Sequence, residues 1–182
     1  SRDRNKRAIY LSQEHYIDKL IRLFKIDDDN IPTPLTPGDP TIKQSHADSP
    51  DPPEKSPWPY RELVGALLYA CTTRPDISYA VGVVCRYGAN PGKPHWDAAR
   101  RILRYLKGTK NLRLCLGGES STLYSYTDAN WVGDNKSAKD TCKSTSGQIT
   151  FIGNGPIDWS SRLQSVVSLS TTEAEFVASA YN

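Results

Sequence analysis

Methionine is missing from this sequence, even from its first position. With the final Ala180-Tyr181-Asn182 falling in a helical pattern that has no stop signal, this leads us to expect a piece cut from a longer chain. Cysteine is sparse. Cys71, Cys85, Cys115 and Cys142 form no C-x-x-C pair and no His–Cys spacing of a zinc finger. They read as reduced, buried structural thiols of an intracellular protein, cytoplasmic or nuclear not resolved, which excludes a disulfide scaffold. Long apolar runs are also lacking, so no membrane partner is expected, and the polar start Ser1-Arg-Asp-Arg-Asn is no signal peptide. A formal charge of +3 does not by itself assign a polyanion partner. The placement of the charges has to carry that question.

What is present divides into helical and strand-like halves. Lys6 to Leu11 is a short strand candidate. Ser12 then reads as an N-cap with Glu14 in the first turn. Tyr16, Ile17, Leu20, Ile21 and Phe24 recur at helical spacing. Asp27-Asp28-Asp29 has no apolar strand leading into it, so it reads as a solvated helix end rather than a metal site, and His15 as a surface residue. Residues 28–58 are rich in proline, serine and aspartate and cannot bury enough apolar surface to offset their ordering entropy, so a linker is expected there. Three short-linked amphipathic helices follow over 59–110. The first carries Tyr60, Leu63, Val64, Leu67, Leu68 and Cys71. The second opens at Pro75-Asp76, with Ile77, Ala80, Val81 and Val84 inward. The third opens at Pro94, with Trp96, Ala99, Ile102, Leu103 and Leu106 apolar, and closes at Gly108.

The third helix concentrates positive charge. Arg100, Arg104 and Lys107 share a face, Arg101 lies beside them, and Asp97 is the acidic member of the run. A solvated helix face explains such a run, and so does a surface that tracks a phosphate backbone. From Leu112 the period becomes that of strands. Leu112, Leu114 and Leu116 alternate, Gly117-Gly118 turns the chain, and Leu123 to Trp131 alternates again, with Tyr124, Tyr126 and Asp128 on one side. Further strands are expected at 147–152 and 156–161 around the Gly153-Asn154-Gly155 turn, giving an antiparallel meander and then a helix. Asp128 at a strand end reads either as a turn cap or, with a carboxylate from the final helix, as half of a divalent-metal site. Ser170-x-x-Glu173 and Thr172-x-x-Glu175 both fit a capping box, so spacing alone does not choose the inward acid. The fold class expected is α+β, a small helical region followed by an incomplete antiparallel sheet with one helix.

Several ordered motifs resemble one family. Tyr60-Arg-Glu-Leu-Val-Gly-Ala-Leu-Leu-Tyr69, Thr73-Arg-Pro-Asp-Ile-Ser-Tyr-Ala-Val81 and Arg101-Ile-Leu-Arg-Tyr-Leu-Lys-Gly-Thr109 resemble the region after the polymerase palm in copia-type retrotransposon Pol polyproteins. Tyr126-Thr-Asp-Ala-Asn-Trp131, Ser144-Thr-Ser-Gly147, Trp159-Ser-Ser161 and Ser168-Leu-Ser-Thr-Thr-Glu-Ala-Glu-Phe176 resemble the start of that family's ribonuclease H domain. The opening residues 1–27 are similar to the thumb-proximal part of such reverse transcriptases. The resemblance implies a ribonuclease-H-like domain over 111–182, cut short, after a connection region over 59–110. It implies hydrolysis of RNA in RNA–DNA hybrids with two magnesium ions, with Asp128 and either Glu175 or Glu173 as catalytic metal ligands; Glu175 is preferred because Glu-Phe-Val-Ala resembles the family's motif, which leaves Glu173 as the capping residue. It also implies an RNA–DNA hybrid and the remainder of the polyprotein as partners, and the charge pattern of the third helix offers Arg100, Arg101, Arg104 and Lys107 as the nucleic-acid contacts. The palm and the later carboxylates are not in these residues, so the chain alone is expected to be inactive and to bind magnesium weakly.

Overall fold

A computed structural model describes residues 1–26, 57–118, 121–131 and 142–180. The Asp27-Asp28-Asp29 run and residues 28–56 of the expected linker lie outside the described residues. The chain is α+β and divides into two units. Gln13–Leu112 is a helical unit, and Ser1–Ser12 with Arg113–Asn182 is a sheet unit. Among the described residues no helix is long and apolar enough to cross a membrane.

The helical unit contains α1 (Glu14–Leu23), α2 (Tyr60–Ala70), α3 (Ser78–Cys85) and α4 (Lys93–Gly108). The helix expected in the leading segment therefore joins the three that follow. Leu63, Leu67, Ile77, Val84, Ile102, Leu103 and Leu106 are fully buried, with Ile17 and Leu20 of α1 in the same core. Each such aliphatic side chain contributes about 1.5–3 kcal/mol by leaving water. The N-cap position falls one residue after the expected Ser12. Gln13 is the N-cap residue, and no side chain caps it. Instead the Gln13 amide donates to Tyr69 O at 3.4 Å and Thr72 Oγ1 at 3.1 Å, so the helix start is fixed by the end of α2.

A short 3-10 turn, Pro75–Ile77, precedes α3. Its role is set by a buried ion pair. Arg74 is 3% exposed. Its Nε and Nη2 grip Asp76 at 2.9 and 2.6 Å, and Nη1 and Nη2 donate to Thr109 O at 3.0 Å and Thr109 Oγ1 at 2.7 Å. The Tyr105 hydroxyl donates to Asp76 Oδ2 at 2.8 Å. The motif thus locks the turn before α3 to the end of α4. Burial alone would raise the Asp76 carboxyl, but Arg74 and the Tyr105 hydroxyl outweigh it and hold the group below its ordinary range. His95 is buried as well. Its Nδ1 accepts the Gly92 N–H at 2.8 Å, closing the start of α4, and its ring stacks on Tyr87 at 3.9 Å.

The thiols follow the packing. Burial pushes the Cys71 thiol up to about 11 and raises Cys85, so both stay protonated at neutral pH. Cys71, Cys85 and Cys115 are half-buried, while Cys142 is exposed and departs from the buried role expected of it.

The sheet unit holds two three-stranded antiparallel sheets. In the first, β1 (Arg2–Asp3) pairs with β2 (Ala8–Leu11), and β2 pairs with β3 (Leu114–Gly117), with Leu11 opposite Leu114. The second is a meander of β4 (Leu123–Asn130), β5 (Thr145–Ile152) and β6 (Gly155–Leu163), followed by α5 (Thr171–Ala180). The alternating leucines before Gly117 were expected to lead into the meander. They pair with the opening strand instead, because an edge of β2 was available and β-pairing ignores sequence distance. The sheets meet at a Gly117–Gly153 bridge. A Cβ on Gly155 would fall 2.4 Å from Cys115 O, so only glycine fits there.

The Arg74 lock yields an acid-stability prediction. Because the folded value of Asp76 lies below its unfolded one, its stabilisation is complete above the ordinary aspartate range and vanishes as pH falls through the depressed folded value. Asp76→Asn should cost about 3 kcal/mol at neutral pH by leaving Arg74 buried without its counter-charge. It should also flatten the loss of stability below about pH 4. Urea unfolding at neutral and acid pH measures both, and an equally steep acid limb in the variant would contradict the assignment.

Candidate active site

Asp128 sits on β4 opposite Gly147 of β5. Its cross-strand neighbour has no side chain, so nothing from β5 covers the carboxylate on that face. Asp128 is exposed, on the side of the sheet that carries Tyr124 and Tyr126. Tyr124 stacks on Phe151 at 5.1 Å, and Tyr126 meets both rings edge-on. The other side of β4 presents Ser125, Thr127 and Ala129, which are half-buried. Helix α5 touches this second side, with Thr127 Oγ1 3.3 Å from Ser179 Oγ.

The two acids of α5 are separated by their partners. Ser170 Oγ accepts the Glu173 N–H at 3.1 Å, and Glu173 Oε2 accepts the Leu169 N–H at 2.7 Å. Glu173 therefore closes the helix start, and the cap register is the one that begins at Ser170. Glu175 points elsewhere. Its Oε1 accepts the Ala129 N–H at 3.3 Å. A strand N–H lies in the plane of its sheet, and β4 is an edge strand, so Glu175 reaches the outer edge at the peptide joining Asp128 to Ala129. The helix lies against the face opposite Asp128, and Glu175 meets the strand at its edge rather than through the sheet.

A buried polar network holds α5 in this position. Gln164, 3% exposed, donates Nε2 to Ser146 Oγ on β5 and to the Ala174 carbonyl on α5, each at 2.9 Å. Its Oε1 accepts the Ser168 hydroxyl at 2.9 Å, and its backbone N–H donates to Ser144 O at 2.8 Å. Trp131 Nε1 donates to Ser168 O at 3.0 Å, tying the end of β4 to the same knot. Ala174 directly precedes Glu175, so the Gln164 amide sets where that acid begins. Sequence reasoning missed Gln164 and Gly147. A single glutamine between a strand and an apolar run has no periodic signal. The glycine opposite Asp128 becomes meaningful only once the register is known.

The basic residues of α4 are placed differently from a solvated stripe. Arg100, Arg101, Arg104 and Lys107 are all half-buried. The Nε atoms of the three arginines are buried, and none of the three residues is without a partner. Lys107 Nζ donates to Ile26 O at 3.4 Å, Lys93 pairs with Asp97 at 2.7 Å, and Lys110 pairs with Asp18 at 3.0 Å.

Comparison with known proteins decides the family. Over 97% of its length the chain is 43% identical to the retrovirus-related Pol polyprotein from transposon TNT 1-94 of Nicotiana tabacum. It is 42% identical over 93% of its length to the Pol polyprotein from transposon RE1 of Arabidopsis thaliana. The chain belongs to the copia-type retrotransposon Pol polyprotein family. It spans only 13% and 11% of those two polyproteins, so it corresponds to one segment of Pol. An uncharacterized mitochondrial protein of Arabidopsis thaliana is 37% identical over 94% of the chain, which covers 68% of that protein. No family model and no solved structure matches the Pol segment.

The Gln164 network can be tested in this Pol segment directly. Gln164→Ala should destabilise the sheet unit by about 2–4 kcal/mol, since it strands buried partners on β5 and α5. Amide exchange over residues 171–180 should accelerate with it. Unchanged protection of that helix would show that α5 is held by other contacts.

Proposed function

We propose that this Pol segment supplies the first strand and first helix of a ribonuclease-H-like active site, acting on the RNA strand of RNA–DNA hybrids in the parent polyprotein. Glu175 reaching the peptide that begins at Asp128, while Glu173 is occupied by the helix cap, is the observation that carries this reading. The helical unit then follows the reverse transcriptase of the same polyprotein, whose palm, outside these residues, copies RNA into DNA.

Magnesium is the cation this chemistry calls for. Hard divalent cations take six or more oxygen ligands, and Asp128 with Glu175 offers two carboxylates. Among the described residues no group of three or more acidic, histidine or cysteine side chains forms. The donors among the described residues do not complete a magnesium site, and in our reading the remaining ligands come from elsewhere in Pol. The segment alone is then a weak magnesium binder without hydrolytic activity.

A second reading draws on the mitochondrial relative. Two thirds of that shorter protein correspond to this segment. In this reading the segment serves as a non-catalytic nucleic-acid-binding module, or persists as a decayed remnant of an element.

Substitution in a full-length polyprotein carrying this segment separates these readings. Asp128→Asn and Glu175→Gln should each reduce hybrid hydrolysis by about 100-fold or more, beyond what loss of an outer-shell contact produces. Glu173→Gln should stay within about tenfold of wild type, the equivalent of one helix cap. Full hydrolysis by Glu175→Gln with loss in Glu173→Gln would reverse the assignment.

A further inference from the structure

We propose that the β1–β2 hairpin is a binding element for the phosphate backbone of nucleic acid. This rests on the functional reading above and names a contact surface for it. The hairpin runs Ser1-Arg-Asp-Arg-Asn-Lys-Arg-Ala8 and places Arg2 on β1 and Arg4, Lys6 and Arg7 in the turn that joins β1 to β2. All four side chains are exposed, and no described acidic side chain forms an ion pair with them. The hairpin's own acid is already used. Asp3 Oδ1 accepts the N–H groups of Asn5 at 3.0 Å and Lys6 at 3.1 Å, so it serves the turn rather than its cationic neighbours.

The display is also held in shape. Arg7 takes a left-handed backbone with φ of 49°, and its carbonyl accepts the Gly118 N–H at 3.2 Å. A Cβ on Gly117 would fall 2.4 Å from Arg7 O, so β3 presses directly on the hairpin's turn. Cations on a backbone fixed in this way lose less freedom on binding than cations on a loose tail. The α4 arginines and Lys107 are instead half-buried, and Lys107 Nζ donates to Ile26 O within the helical unit. Four positive charges clustered at one hairpin turn complement the negative charge of a nucleic-acid backbone. Such contacts are independent of base sequence and sensitive to salt.

The test is a titration of the 182-residue chain against a fluorescently labelled RNA–DNA hybrid over about 50 to 200 mM salt. Replacing Arg2, Arg4, Lys6 and Arg7 by glutamine should make the slope of log affinity against log salt shallower by about 3. Replacing Arg2, Arg4 and Arg7 by lysine should keep the wild-type slope, because charge and not fork geometry is read. Arg100→Gln with Arg101→Gln and Arg104→Gln should leave the slope unchanged while the circular dichroism spectrum stays native. Wild-type binding with an unaltered slope in the hairpin variant overturns the hairpin proposal and leaves the nuclease reading standing. A wild-type chain that ignores the hybrid but binds vesicles of anionic phospholipid overturns both.

Discussion

The buried amide of Gln164 is the constraint on which the candidate site depends. It is the point where β5, the chain before α5, and α5 itself are joined by directional bonds rather than by area. The apolar contribution of α5 is small, since only Ala174 and Ala178 of that helix are buried. A helix with so narrow a greasy contact could slide along a flat sheet at little cost. Hydrogen bonds to a buried amide cannot slide, because each displaced partner would be left without water or protein. Glu175 therefore meets the Asp128–Ala129 peptide through a polar lock that stands behind it.

The helical unit is held by the opposite strategy. Its core is large and mostly aliphatic, and the Arg74–Asp76 pair joins a buried guanidinium to a partly exposed carboxylate. A buried pair is weak evidence for added stability, because both charges give up water. Its contribution here is register. Arg74 and Asp76 are two residues apart, and their joint contacts with Thr109 and Tyr105 fix which turn of α4 faces the start of α3.

Much of the fold could be read from the sequence, for physical reasons. The stripes in α2, α3 and α4 were legible because a period of 3.6 follows from burying one helix face. The meander was legible from alternation and from the Gly153-Asn154-Gly155 turn. Pairing of β2 with β3 was not, since no local pattern in Ala8–Leu11 names a partner a hundred residues away. The cap at Ser170 was half legible. Spacing offered two registers, and the Leu169 N–H bound to Glu173 is a detail that periodicity does not carry. Charge was the least legible. The sequence shows where arginines are, but not whether they are half-buried, as on α4, or exposed, as on the hairpin.

The pairing of Leu11 with Leu114 gives the molecule an unusual order of assembly. The helical unit is inserted between two strands of one sheet, so a ribosome delivers β2 long before its partner exists. An open coil of that length would make the closing of the ladder slow. Helices that collapse on their own during synthesis shorten the effective tether, and the late strand arrives at an edge already waiting for it. Translation of this stretch of Pol would thus proceed as a vectorial process in which the middle matures first and the sheet closes only when β3 reaches β2.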